Sequence, residues 1–253
     1  MANETELTQY LTRLLDILQQ ELEDNLLAVY LFGSAGYNAY EPGTSDVDVY
    51  AVIDHGCKSE SYIQLARTIS HASIPCPARK LEFVLFTKAN AALQTCNPRF
   101  EMNLNTGKEM VNDYINLDAS SEPGFWFLLD IAMGQELGTP LFGPPAGEVF
   151  AAPRLEDILD CMLECLDWHR EQLNLTPDAV LNACRALRFA KTGKWGSKKD
   201  GGGWAIGFYE KDRSEAVSLA LEARRIKGEM PQDRTAEFLD FVHGEIEECR
   251  RRL

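Results

Sequence analysis

The segment that most restricts what this chain can become runs from residue 26 to residue 53. An apolar stretch, LLAVYLF, ends in Gly33-Ser34; eleven residues rich in Gly, Pro, Asn and Ser follow; then Ser45-Asp46-Val47-Asp48 opens the stretch DVDVYAVI. Both flanking stretches read as strands, the second by its β-branched alternation, and the polar run 35–45 reads as a loop. Side chains two apart on a strand share a face, so Asp46 and Asp48 deliver two carboxylates into one small volume. Such a pair repels itself unless a cation joins it. Hard oxygen donors suit Mg2+, which takes one or two carboxylates and completes its shell with water and phosphate oxygens. The Gly33-Ser34 turn offers backbone N–H groups and a hydroxyl to a phosphate, because glycine lets the main chain approach closely. A third acid, Glu82, sits in the strand-like KLEFVLF (80–86), where it either ligates the metal or acts as a general base.

Helical signals surround this β-rich core. Asn3 and Glu6 have capping-box spacing, and Leu7, Leu11, Leu14, Leu18 and Leu22 then recur with helical period. Residues 60–71 are expected to form a second helix. From about residue 120 the β signal fades. Leu155, Leu159, Met162, Leu166 and Leu173 make one apolar stripe, a helix is expected from Asp178 to Lys191, and Phe238, Leu239, Val242, Ile246 and Cys249 share the face of a last one. The Pro/Gly-rich run 138–153 reads as a connection. The expected fold class is therefore α+β: a mixed sheet with flanking helices over residues 1–150, then an all-α bundle over residues 151–253.

Charge narrows the partners. With 25 Lys+Arg against 39 Asp+Glu the net charge is −14, which argues against a nucleic-acid partner, since phosphate contacts are made by Lys and Arg. A cationic small molecule fits better. One helical face carries Asp160, Glu164, Asp167 and Glu171 at i, i+4, i+7 and i+11 with no Lys or Arg among them, a surface that a polycation would stabilise. No apolar run approaches the roughly 18–20 residues of a membrane span, and MANETELTQYL lacks the pattern of a secretory signal. Seven cysteines without a CxxC, and four histidines at no metal-ligand spacing, are expected as reduced thiols and ordinary imidazoles of a cytoplasmic, monomeric protein.

A strand, GS, a loop and DxD, followed by an acid in the next strand, together resemble the nucleotidyltransferase superfamily with a polymerase-β-like core. The loop is one residue longer than that pattern's spacing of about ten, a cheap insertion. The later segments LFGPPAGEVF (141–150), ACRALRFAKTGK (183–194), SKKDGGGWA (197–205) and FVHGEI (241–246) resemble the C-terminal helical domain of bacterial streptomycin/spectinomycin adenylyltransferases, so the resemblance covers nearly the whole chain. KTGK itself is not a Walker A motif. The resemblance implies that Asp46 and Asp48 hold Mg2+ on ATP and that Glu82 is the catalytic base, also within reach of the metal. It implies further that Gly33, Ser34 and Ser45 line the nucleotide site and that Arg185 and Lys198 contact the phosphates. Glu171 is the implied acid facing the acceptor, and Trp168 is an expected platform for a sugar ring. The implied activity is Mg-dependent transfer of AMP from ATP to a hydroxyl of an aminoglycoside or aminocyclitol such as spectinomycin or streptomycin, an antibiotic-resistance reaction releasing pyrophosphate. The alternatives are another small-molecule or protein acceptor, or a nucleotide-binding relative without turnover.

Overall fold

The computed structural model describes residues 2–253, the side chains of residues 2–4, 211 and 212 excepted. Contacts divide the chain into two compact units, Met1–Ala152 and Pro153–Leu253.

The first unit is built on a six-stranded sheet of order β5-β4-β3-β2-β1-β6. Its strands are β1 (Leu26–Leu31), β2 (Val47–Ile53), β3 (Leu81–Thr87), β4 (Met102–Thr106), β5 (Tyr114–Asn116) and β6 (Thr139–Phe142). Only β2 and β3 run parallel; the other neighbours are antiparallel. The helices of this unit are α1 (Ala2–Leu22), α3 (Ser59–Ile69) and α5 (Gly124–Leu137), with the single turns α2 (Gly33–Gly36), α4 (Lys88–Ala91) and α6 (Ala146–Val149). The parallel β2–β3 pair needs a crossover, and α3 supplies it.

Alternation along the strands sorts side chains onto two faces. Val47, Val49, Ala51, Leu81, Phe83 and Leu85 point to one and pack with Leu7, Leu14 and Leu18 of α1 and Leu65 and Ile69 of α3. Leu14 and Leu18 are fully buried, each stabilising the unit by about 1.5–3 kcal/mol. Tyr30, Phe32, Tyr50, Val84 and Phe86 point to the other, against Phe127 and Ile131 of α5 and Phe150. Asp48 and Glu82 share the parity of this second face. The Asn3 side chain expected to cap α1 lies outside the described residues.

Two expectations need correction here. The run 138–153 is not merely a connection, because Thr139–Phe142 is the edge strand β6, paired antiparallel with β1. Its Pro140 disguised it, but proline is tolerated on an edge where no ladder partner needs its missing N–H. The segment 35–45 is not all loop either, since Ala35 and Gly36 belong to the turn α2.

The second unit consists of α7 (Leu155–Arg170), α8 (Pro177–Thr192), α9 (Lys198–Phe208), α10 (Lys211–Ile226) and α11 (Gln232–Arg251). The α8 helix is central, with Val180, Leu181, Ala183, Cys184 and Leu187 all buried. Thr176 caps its start, followed by Pro177, and Gly193 ends it in the left-handed region at φ +66, as glycine readily does. Leu173 is corrected as well. The α7 helix stops at Arg170, so Leu173 falls beyond it and is 98% exposed rather than part of the apolar stripe.

Candidate active site

Phe32, the last residue before the Gly33-Ser34 turn, donates its N–H to the Asp48 carbonyl at 2.8 Å, which ties the turn to the acidic strand. Gly33 has φ +56, and a Cβ there would lie 1.6 Å from Asp48 Oδ2. Glycine is therefore required twice, for the backbone angle and for the space the carboxylate occupies. Ser34 sits in the same turn, and its carbonyl accepts the Ala39 N–H at 2.9 Å. Ser45 is buried, and its Oγ accepts the Glu41 N–H at 2.9 Å, so its hydroxyl closes the loop that delivers Asp46.

Parallel register sets Asp48 directly beside Glu82, and antiparallel register sets Glu82 beside Asn105. Lys80, two residues before Glu82, forms an ion pair with Glu82 Oε1 and donates to Asn105 Oδ1 at 3.1 Å. Arg79 Nε lies 3.4 Å from Asp46 Oδ1. From α5, Asp130 accepts the Tyr50 hydroxyl at 3.0 Å. Burial raises the Asp48 carboxyl well above the ordinary range; Glu82, Asp130 and Asp46 raise it further, and Lys80 opposes them. Burial lowers Lys80, but Glu82, Asp46 and Asp48 outweigh it and hold the ammonium charged. The structure thus gathers Asp46, Asp48 and Glu82 at one corner of the sheet, with Gly33 against Asp48. Among the described residues, no three His, Cys, Asp or Glu side chains converge on one metal position.

Lys80, Arg79 and Asp130 escaped sequence reasoning. Lys80 carried a usable signal, since its two-residue offset from Glu82 puts both on one face; Asp130 carried none, because only packing brings α5 to the site.

The second unit collects the other expected residues differently. Lys198 is the first residue of α9, whose start is fixed by a Ser197/Asp200 capping box. Its Nζ lies 3.1 Å from Asp178 Oδ1, and Arg224 of α10 bonds the same oxygen. Arg185 donates to Asn182 Oδ1 at 3.1 Å, and Asn182 Nδ2 lies 3.3 Å from His169 Nε2. Burial lowers Lys198, reinforced by Arg185 and Arg224 and opposed by Asp178. Burial, Lys198 and Arg185 together push the His169 imidazole down to about 4 against the pull of Asp178, so it is neutral at pH 7. The glycine run 201–203 has a packing reason. A Cβ on Gly201 would lie 2.7 Å from the Arg185 nitrogen, and one on Gly202 would lie 3.2 Å from Leu181, so these glycines let α9 close on α8.

Two charge patterns are rearranged by the fold. Asp160 is held by Arg250 at 2.7 and 3.1 Å, and Asp167 by Arg170 at 3.1 Å with His243 Nε2 at 3.4 Å. The acidic face of α7 is therefore partly neutralised by α11, a partner its own sequence could not show. The basic run around residues 191–199 is likewise divided, with Lys191 on Glu245 at 2.8 Å and Lys198 on Asp178. Glu171 caps the end of α7, its N–H donated to the Asp167 carbonyl at 3.1 Å, and is exposed. Trp168 is 37% exposed, its ring edge-on to His169 with centroids 5.1 Å apart.

Two family models match: "Nucleotidyltransferase domain" over residues 11–86, and "Aminoglycoside adenylyltransferase, C-terminal domain" over residues 148–247. Among curated proteins, the chain is 24% identical to an aminoglycoside (3'') (9) adenylyltransferase of Escherichia coli over 95% of each chain, and equally identical to one of Shigella flexneri. Among solved structures it resembles the crystal structure of spectinomycin adenyltransferase AAD(9) from Enterococcus faecialis with ATP and spectinomycin. The TM-score is 0.71 at 16% identity, covering 95% of this chain and 99% of that one. At this identity the likeness establishes the fold.

Proposed function

On the premise that the chain belongs to the aminoglycoside adenylyltransferase family of nucleotidyltransferases, we propose that it transfers AMP from ATP to a hydroxyl of an aminocyclitol antibiotic such as spectinomycin or streptomycin. The observation that carries this reading is the register of Asp48 beside Glu82, with Gly33 packed against the Asp48 carboxylate.

The donor set suits Mg2+. It is all oxygen, and burial, reinforced by Glu82, Asp130 and Asp46, drives the Asp48 carboxyl upward, a state that a divalent ion would relieve. Asp46 and Asp48 would hold the ion; bound there, it neutralises charge on the triphosphate. Asp46 and Asp48 would suffice as protein ligands for such an ion, and Glu82, paired with Lys80, would serve as the base. Glu82 accepts the proton of the attacking hydroxyl, while Lys80 and the Asn105 amide on that lysine fix the carboxylate's orientation. The acceptor oxygen bonds to the α-phosphorus, the α–β bridge breaks in line, and pyrophosphate leaves. Gly33 and Ser34 border the phosphates, with Ser45 supporting the loop behind them, and Arg185 and Lys198 take up charge on the departing group. Glu171 and Trp168 are the proposed contacts of the acceptor's amine and ring.

The direct test is pyrophosphate release with Mg-ATP against spectinomycin, streptomycin and related aminocyclitols, with mass detection of an AMP adduct. An adduct on one compound is expected. Mg-dependent ATP binding with no adduct on any compound would move the acceptor to another metabolite or a protein, the second reading of the sequence. Glu82→Gln should leave Mg-ATP binding intact and reduce transfer by about 10²–10⁴-fold; full activity in that variant would remove Glu82 from the base role.

A further inference from the structure

We propose that Asn103 and Glu122 are positioning residues of this reaction. With Asn105 they form a one-way chain of hydrogen bonds that holds Lys80 on Glu82 and so fixes the carboxylate proposed as the base. This rests on that role of Glu82; Asn103 and Glu122 come from the geometry.

Strand register lays Asp48, Glu82, Asn105 and Tyr114 side by side in one row across β2, β3, β4 and β5, and puts Asn103 beside Asn116 in the neighbouring row. Met102 and Leu104 of β4 point the other way, into the core against α1 and α3, so the face that carries the acids continues outward as a band of polar side chains. Four links run along it. Glu122 Oε2 accepts from Asn103 Nδ2 at 2.8 Å, Asn103 Oδ1 from Asn105 Nδ2 at 3.3 Å, and Asn105 Oδ1 from Lys80 Nζ at 3.1 Å. Lys80 Nζ then pairs with Glu82 Oε1. A carboxylate only accepts and an ammonium only donates. Between such ends the two amides have a single arrangement that satisfies every link; turning either one over sets like groups against each other at both of its contacts. The outer end is fixed as well, because Tyr114 Oη donates to Glu122 Oε1 at 3.1 Å and Asn116 Nδ2 donates to the same oxygen. Asn103 is only 6% exposed, and its neighbour on β3 is the buried, apolar Val84, so packing alone does not call for an amide there. A buried amide is tolerated where its hydrogen bonds are made. Each link polarises the next, so the chain carries the placement of Glu122 through to Lys80. Lys80 holds Glu82 Oε1, which turns the other carboxylate oxygen toward the proton of the attacking hydroxyl.

The full-length chain is assayed for pyrophosphate release with Mg-ATP and spectinomycin or streptomycin. Asn103→Leu should lower kcat by about tenfold, part of the roughly 10²-fold that a misplacement of 1 Å costs, with KM for ATP and the melting profile unchanged. Asn103→Asp combined with Glu122→Gln keeps an acceptor toward Asn105 and turns only the outer link round, so it should recover most of the loss. In a Glu82→Gln background Asn103→Leu should have no further effect, whereas a merely structural role would lower activity equally in both backgrounds. Equal loss in both, or wild-type kcat in Asn103→Leu, would overturn the proposal while leaving the base role standing. Full activity in Glu82→Gln, or no transfer by wild type to either compound, would overturn that role and the positioning role with it. Should Asn103→Leu fail to fold, Glu122→Ala, which removes the outer anchor, takes its place. A severalfold loss of kcat that disappears in the Glu82→Gln background is then expected, and its absence would overturn the proposal.

Discussion

Replacing Gly33 by alanine tests the central geometric claim of the first unit without any substrate. The backbone there has φ +56, where a Cβ costs about 1–2 kcal/mol. The new Cβ would also stand 1.6 Å from Asp48 Oδ2 and 2.5 Å from its Cγ. Ordinary contact requires about 3.5 Å, so the carboxylate must swing away by roughly 2 Å within a packed corner, an overpacking cost of about 1–3 kcal/mol. Together these predict a loss of about 2–5 kcal/mol, lowering the melting temperature by roughly 5–15 °C. The decisive measurement is a double-mutant cycle with Asp48→Ala. Removing the carboxylate relieves the clash, so the two substitutions should couple favourably by about 1–3 kcal/mol, leaving only the backbone cost. Transfer activity of the single Gly33→Ala variant should fall by about 10²-fold, because a misplacement of 1 Å suffices for that. An unchanged melting temperature, or additive effects in the cycle, would show that Gly33 does not lie against Asp48.

Two further perturbations probe the second unit. His169 is buried and held near 4 against an ordinary value near 6.5, so the unfolded chain binds the additional proton and stability rises with pH between the two values. The contribution is complete above about pH 6.5 and is lost on acidification toward pH 4, amounting to about 3 kcal/mol. Denaturant melts across that range should fall more steeply for wild type than for His169→Gln, and parallel profiles would contradict the assignment. At the glycine run, Gly201→Ala should destabilise by about 1–2 kcal/mol, the clash with the Arg185 backbone outweighing the helix-propensity gain, and should weaken ATP binding. Gly203→Ala, with nothing within 4 Å of its Cβ, should stabilise by about 0.5–1 kcal/mol; thermal melts that rank the two alike would exclude the close approach of α9 to α8.

What the sequence carried by itself was local. A continuous apolar run marked β1, period-2 alternation marked β2 and β3, the parity of Asp46 and Asp48 put their carboxylates on one face, and the stripe in α1 and the buried face of α11 followed from helical spacing. The other strands offered too little: β4 (MNLNT) alternates over only five residues, β5 (YIN) has three, and β6 contains a proline that an edge position allows. Charges were legible as residues but not as pairs. The acidic face of α7 read as a site for a cation until Arg250 of α11 met Asp160. The Lys80 ion pair with Glu82, the Asp130 carboxylate near Asp48, and the meeting of Lys198 with Arg224 on one oxygen of Asp178 depend on strand register and helix packing. The sequence determined which residues could do chemistry and which face of their own element they occupy, because side-chain direction is a property of a few neighbouring backbone angles. Which charges stand together was decided only by the tertiary structure, because Coulombic and hydrogen-bond contacts act over a few ångströms between residues far apart in the chain.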